Sequence, residues 1–96
     1  MDFTIFLDGF MDMIGEDPRI GPSHISLYLA ILCSYKNQQS RMPVSAYKRD
    51  LVKQAKMSSR TYHKCMSDLQ GYGYIRYTPS YNPVLGSLIY LLKIEK

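Results

Sequence analysis

The sequence predicts a mostly helical α+β fold in a single domain. The chain has 96 residues, enough for one modest hydrophobic core and too few for two. Four segments show either the apolar spacing or the all-round apolar composition of helices. Near the C-terminus, residues 74–78 and 87–94 have the composition of strands, and Pro and Gly punctuate the residues between them.

The first predicted helix lies at the N-terminus and ends before Gly15 and Pro18. Its apolar residues fall within an arc of about 120°, and Asp8 and Asp12 lie on the opposite side. This apolar face either covers the domain's own core or pairs with the same helix of a second copy, and the sequence leaves both open. The candidates for the dimer contact are Phe3, Phe6, Leu7, Phe10, Met13 and Ile14.

The second predicted helix is the central one. Gly21 and Pro22 break the chain, and Ser23 is expected to cap the helix that follows. From there to Tyr35 the residues are apolar on nearly all sides, which is typical of a helix buried against several neighbours. Asn37 is the expected end of this helix.

A very short edge strand and a third helix are predicted next. Residues 42–44 can form only an edge strand, because Pro43 has no N–H to donate to a ladder. Ser45 is expected to cap a helix that runs to about Ala55. The residues expected to point inward are Tyr47, Leu51, Val52 and Ala55, and the cations outside this stripe are Lys48, Arg49, Lys53 and Lys56.

Residues 57–75 are the most informative part of the chain. Ser58 or Ser59 can cap a helix that Gly71 and Gly73 end, just before the first of the two C-terminal strands. Spacing of i, i+3, i+4, i+7 predicts a buried stripe of Tyr62, Cys65, Met66 and Leu69. The opposite face carries groups that can donate to phosphates and base edges, namely Ser59, Arg60, Thr61, His63, Lys64 and Ser67.

Charge is distributed unevenly along the chain. All five acids of the N-terminal segment, from Asp2 to Asp17, precede the first basic residue, Arg19. The rest of the chain holds twelve Lys and Arg against three acids, a net charge of +9. A basic body suits a polyanionic partner such as nucleic acid, and the plainer alternative is solvation with favourable charges at helix ends.

Several other functions are not expected. Cys33 and Cys65 sit among apolar residues and are predicted to be small core hydrophobes, without a disulfide framework. His63 and Cys65 lie about 200° apart around a helix and cannot ligate one metal ion together. Because no catalytic or phosphate-binding motif occurs, we expect no enzyme, cofactor or small-molecule ligand. Without a transmembrane or signal-peptide pattern, the expected location is the cytoplasm, with no membrane partner.

The predicted order of helix, helix, short strand, helix, helix and hairpin resembles the winged helix-turn-helix fold. That fold has a three-helix core and a β-hairpin wing, to which this chain adds an N-terminal amphipathic helix. The resemblance covers residues 23–94, about three quarters of the chain, with residues 1–17 as helix and linker and 18–96 as the DNA-binding domain. The spacing that bacterial winged-helix regulators share is matched at Leu51, Ala55, Ser58, Thr61, Tyr62, Leu69, Gly73 and Ile75.

The stretches GPSHISLYLA, TYHKC and PSYNP are also similar to small single-domain winged-helix proteins of bacterial mobile elements and phage. Such proteins serve as transcriptional, excision or replication-initiation factors. Two features depart from the regulators. Tyr62 stands where they usually have a smaller aliphatic residue, and Arg76 is the one strong cation of the wing, whereas a wing that reaches the minor groove usually carries more Arg or Lys.

The resemblance implies sequence-specific binding of double-stranded DNA by a homodimer on the bacterial nucleoid. The recognition helix, about residues 58–70, is expected to enter the major groove with its N-terminal half, where Arg60 is the best candidate to read guanine. The implied contacts are Ser59, Arg60, Thr61, His63 and Lys64 in the groove, Ser58, Lys48, Lys56 and Arg76 on phosphates, and Tyr81 and Asn82 at the wing tip. The alternative is a protein-interaction winged helix that binds an acidic protein and not DNA.

Overall fold

The predicted mostly helical α+β fold is confirmed in the computed structural model, which describes residues 2–79 and 86–93. Within these residues the chain forms four helices and one antiparallel sheet of three strands. The elements in chain order are α1 (Phe3–Ile14), α2 (Pro22–Asn37), β1 (Val44–Ala46), α3 (Lys48–Ala55), α4 (Ser59–Gly71), β2 (Ile75–Thr78) and β3 (Ser87–Leu91).

The sheet has the order β1-β3-β2, so the last strand lies in the middle. Val44 of β1 pairs with Ile89 of β3, and Ile75 of β2 pairs with Leu91 of the same strand. The short strand β1 is at the edge, as predicted, although it begins after Pro43 and not at residue 42. The predicted end of β3 at residue 94 lies outside the described residues, and so do residues 80–85 of the predicted wing tip, residues 79–86.

Helix α2 is the centre of the domain, as its composition predicts, and packs against α1, α3, α4 and β1. The predicted cap at Ser23 is wrong, because the helix already begins at Pro22 with Gly21 as the N-cap. Proline suits the first helical position, where no N–H bond is needed. The ring of His24 then accepts the N–H of Gly21 on Nδ1 at 3.0 Å, a role that Glu or Gln usually fills.

Helix α3 begins later than predicted. Ser45, the predicted cap, lies in β1, and its N–H donates to Oε1 of Gln38 at 3.0 Å. Tyr47 is the N-cap instead and is 36% exposed, so its predicted inward position is also wrong. Leu51 and Ala55 are buried and Val52 packs against the core, as the apolar spacing predicts.

Helix α1 covers the core of its own chain. The ring of Phe10 stacks on Tyr28 with 3.8 Å between centroids, and its edge meets Tyr74. Phe6 makes an edge-on contact with Tyr35. The other four predicted dimer residues are partly buried against this core, namely Phe3, Leu7, Met13 and Ile14. In the single chain, the apolar face of α1 therefore covers the domain's own core, the first of the two alternatives. Phe6 and Phe10 cannot contact a second copy in this conformation.

A buried carboxylate joins the segment after α1 to the turn between α4 and β2. Asp17 accepts hydrogen bonds from Nε and Nη2 of Arg19, both at 2.9 Å, and from the hydroxyl of Tyr74 at 2.7 Å. The guanidinium group of Arg19 also lies 4.2 Å from the centre of the Tyr72 ring. These bonds hold the pKa of Asp17 well below its usual value, while burial and the bond to Asp17 raise the pKa of Tyr74 to about 12.

Replacing Phe10 by Ala tests whether α1 belongs to the core. The substitution is expected to lower the free energy of unfolding by ~3–5 kcal/mol, because it leaves a cavity between Tyr28 and Tyr74. Urea denaturation measures this change. Met11→Ala, on the same helix at 51% exposure, is the control and should change it by less than ~0.5 kcal/mol. If Phe10→Ala left stability intact but dissociated a dimer, the self-covering packing would be wrong.

Candidate nucleic-acid interface

The position of α4 is fixed by its cap and its apolar stripe. Ser58 is the N-cap, as predicted, and its Oγ accepts the N–H of Thr61 at 3.1 Å. The same hydroxyl donates to Oγ1 of Thr61 at 3.0 Å, so both hydroxyl groups already have partners at the start of the helix. The predicted stripe is confirmed as buried, namely Tyr62, Cys65, Met66 and Leu69. Helix α4 packs with this stripe against α2, and it also contacts β2.

Packing of the stripe leaves the predicted DNA-contacting face in solvent. Arg60, His63 and Lys64 are exposed, and so are the hydroxyl-bearing Ser59 and Ser67. Arg60 and Lys64 are four residues apart and therefore lie one turn apart on the same side of α4. Within the described ranges, the side chain of Arg60 has neither a hydrogen bond nor an ion pair. Because Arg60 is exposed, its five N–H donors are available for a bidentate contact.

Lys64 differs from Arg60, because its ammonium group lies 2.9 Å from Oδ2 of Asp68. The same oxygen lies 2.9 Å from Nε2 of His24 on α2. The hydrogen bond with His24 and the ion pair with Lys64 hold the pKa of Asp68 below its usual value, and the pKa of Lys64 is raised. Neither His24 nor Asp68 was among the predicted site residues. The spacing of Lys64 and Asp68 is a signal for an i, i+4 pair, but nothing in the sequence indicates the contact with His24.

Four further cations line the outer side of α3 and the turn that follows it. All of them are exposed, as the apolar spacing predicts, namely Lys48, Arg49, Lys53 and Lys56. Arg49 lies 3.7 Å from Asp50, and both side chains are largely in solvent, so this ion pair is weak. Ser26 of α2 donates to the carbonyl oxygen of Ala55 at 2.7 Å and so fixes the end of α3. Lys56 follows in a left-handed conformation that ends the helix.

Strand β2 brings one more predicted cation to the surface. Arg76 is exposed, and its guanidinium group lies 4.5 Å from the centre of the Tyr90 ring on β3. The neighbouring N–H of Tyr77 donates to Oε1 of Gln70 at 2.6 Å, which joins β2 to the last turn of α4. The other two predicted wing contacts, Tyr81 and Asn82, lie outside the described residues.

A surface groove of about 310 Å³ lies between α4 and β2, beside the predicted face. Three of its lining residues, His63, Ser67 and Gln70, belong to the outer side of α4, and Tyr77 belongs to β2. Because Oε1 of Gln70 is used by the N–H of Tyr77, the amide group of Gln70 offers donors to this groove. Gln70 was not among the predicted site residues, and its helix position alone gave no signal for this role.

The prediction that both cysteines are core residues is half right. Cys65 is buried, and burial raises the pKa of its thiol. Cys33 is exposed, because the stripe of α2 that contains Leu29 and Cys33 faces solvent.

In the part of the chain that the structure describes, no group of His, Cys, Asp and Glu is arranged to hold a metal ion. Among the same residues, no helix combines the length and the apolar composition that crossing a membrane requires.

Comparisons with protein families, curated proteins and solved structures find no match for this chain. The function is therefore inferred from the local geometry of α3, α4 and β2.

Replacing Ser58 by Ala tests the cap that positions α4. We expect the free energy of unfolding to fall by about 1 kcal/mol, because the N–H of Thr61 loses its acceptor. Ser59→Ala is the matched control, since Ser59 is exposed and lies in the first turn but does not cap the helix. Thermal or urea unfolding of both variants measures the difference. Equal stability of the two variants would contradict the assignment of Ser58 as the cap.

Proposed function

We propose that this protein is a winged helix-turn-helix protein that binds double-stranded DNA with α4 in the major groove. The order α2, β1, α3, α4, β2 and β3 supports this proposal, because it is the element order on which the resemblance to winged-helix regulators rests. The turn at residues 56–58 joins α3 to α4, as a helix-turn-helix requires. In this arrangement α4 is the recognition helix, about residues 58–70.

The observation that carries the proposal is the outward face of α4. It presents Arg60 and Lys64 one turn apart, among short hydroxyl side chains and His63. Arginine can bind guanine through two hydrogen bonds to O6 and N7, a contact worth ~1–3 kcal/mol of discrimination. Ser59, which is exposed and not used in the cap, can donate to a base edge or a phosphate. Ser58 and Thr61 support the helix start through their mutual hydrogen bonds.

Cations outside α4 suit the DNA backbone. Lys48 lies at the start of α3, Lys56 lies in the turn before α4, and Arg76 lies on β2, all exposed. Contacts from such residues to phosphates fix the position of the protein on the duplex and carry no sequence information. Tyr81 and Asn82 are proposed to contact the backbone as well.

A homodimer remains part of the proposal. Phe6 and Phe10 are used inside the chain, so a second copy would contact the partly buried residues of α1. Phe3 and Leu7 border an apolar groove of about 210 Å³ with the exposed Leu29 and Cys33 of α2. We propose a role as a transcriptional regulator, or as an excision or replication-initiation factor of a mobile element, in the bacterial cytoplasm.

One observation favours the alternative of a protein-interaction domain. Ile5 and Met11 of α1 are 45% and 51% exposed and share the solvent side of that helix with Asp8 and Asp12. An exposed apolar helix face of this kind suits docking of a protein, and in this alternative the basic face of α4 binds acidic groups of the same partner. The dependence of binding on salt distinguishes the two functions, since DNA binding releases counterions from phosphates.

The test is fluorescence anisotropy with a random DNA duplex across a salt series. Replacing both Arg60 and Lys64 by Ala should weaken binding by about tenfold to a hundredfold, since both side chains lose phosphate or base contacts. The negative slope of log affinity against log salt should become shallower by about 2 if both side chains contact phosphates. Both residues are exposed and off the apolar stripe, so the fold should be retained.

A second double variant, which loses the same two positive charges from another surface, is the control. Lys36 and Arg41 are exposed cations outside α3 and α4, so replacing both by Ala removes the same charge from another surface. We expect this variant to weaken binding by less than about threefold. Equal losses in the two double variants would contradict α4 as the recognition helix. Affinity near millimolar with no salt dependence would favour the protein-interaction alternative.

A further inference from the structure

An acidic residue of α4 holds one of its two DNA-facing cations. Asp68 is the only acid in α4, and it lies one turn after Lys64. The ammonium group of Lys64 lies 2.9 Å from Oδ2 of Asp68. Arg60, one turn before Lys64, has no carboxylate within reach in the described part of the chain. Before DNA binds, Lys64 is therefore paired with a carboxylate and Arg60 is not.

Asp68 is in turn held from α2 by His24. The N–H of Gly21 can only donate, so Nδ1 of His24 must be the acceptor, and the ring proton lies on Nε2. Nε2 then donates to Oδ2 of Asp68 at 2.9 Å. The side chain of His24 is 9% exposed and that of Asp68 is 23% exposed, whereas that of Lys64 is 71% exposed. His24 and Asp68 thus form the fixed part of this network, and Lys64 is the part that can move.

We propose that Asp68, fixed by His24, is a positioning residue that binds the Lys64 ammonium group in the free protein and releases it to a phosphate when DNA binds. The inference rests on the proposed function. The exchange replaces a carboxylate by a phosphate oxygen, so the ammonium group has an anionic partner before and after binding. An exposed pair separated by four residues on a helix is weak enough for this exchange.

The arrangement makes DNA binding selective for docking geometry. Where no phosphate lies within reach of Lys64, its ion pair with Asp68 persists, and the paired ammonium group attracts the DNA backbone only weakly. Where a phosphate does lie within reach, Lys64 leaves Asp68 and adds a contact. Asp68 therefore makes the contribution of Lys64 to the affinity depend on whether a phosphate lies within its reach.

Anisotropy with a random duplex at about 0.1 M salt tests this role through a cycle of Asp68→Asn and Lys64→Gln. Asn at position 68 still offers an oxygen to His24, so the contact between α2 and α4 is retained. Asp68→Asn should tighten binding by about twofold to fivefold in the natural chain, because Lys64 is no longer held. In the Lys64→Gln background the same substitution should change affinity by less than about 1.5-fold.

Asp50→Asn is the matched control. Asp50 lies on α3, its side chain is 64% exposed, and its ion-pair partner is Arg49, so replacing it removes the same charge without affecting Lys64. The effect of Asp50→Asn on DNA affinity should be equal in the natural chain and in the Lys64→Gln variant. An equal gain from Asp68→Asn with and without Lys64 would overturn the positioning role and leave DNA binding standing, because plain repulsion would then explain it. A natural chain that does not bind duplex DNA would overturn both proposals.

Discussion

The proposed interface depends on one packing contact, the burial of the apolar stripe of α4 against α2. Because a helix buries one side, the same contact determines which residues face outward. Leu69 and Tyr62 are almost inaccessible, and Arg60 and Lys64 lie on the other side. Helix α3 also packs against α2. The central helix therefore positions both members of the proposed helix-turn-helix, and any change that moves α2 would move the basic face with it.

Three polar contacts join the first part of the chain to the second. Asp17 accepts from Tyr74 just before β2, His24 contacts Asp68 on α4, and Ser26 donates to the last turn of α3. These groups are buried or partly buried, and an unpaired polar group in such a place costs ~1–3 kcal/mol. The contacts add specificity to the apolar packing, since a placement of these elements that broke any of them would leave a buried or partly buried polar group unpaired.

The sequence predicts helices and buried faces well where the spacing of apolar residues alone determines which side of a helix is buried. The stripe of α4 and the outward cations of α3 follow from helical periodicity, and both are confirmed. The predicted caps at Ser23 and Ser45 are wrong. Pro22 can begin a helix without a serine cap, and Ser45 lies in β1, where its N–H donates to Gln38. Cys33 was misplaced because a helix that is apolar all round gives no periodic signal for its exposed side. The contact of Asp68 with His24 spans 44 residues, and no local pattern indicates it.

A titration of isotopically labelled protein with a DNA duplex, followed through backbone amide shifts, tests most directly whether the basic face of α4 binds DNA. We expect the largest changes at the N-cap and the first turns of α4 (residues 58–67), with smaller changes near Lys48 and Arg76. Residues of α1 should change least, because its solvent side carries Asp8 and Asp12. Changes concentrated on α1, or none at saturating DNA, would contradict the assignment of the basic face of α4 as the nucleic-acid interface.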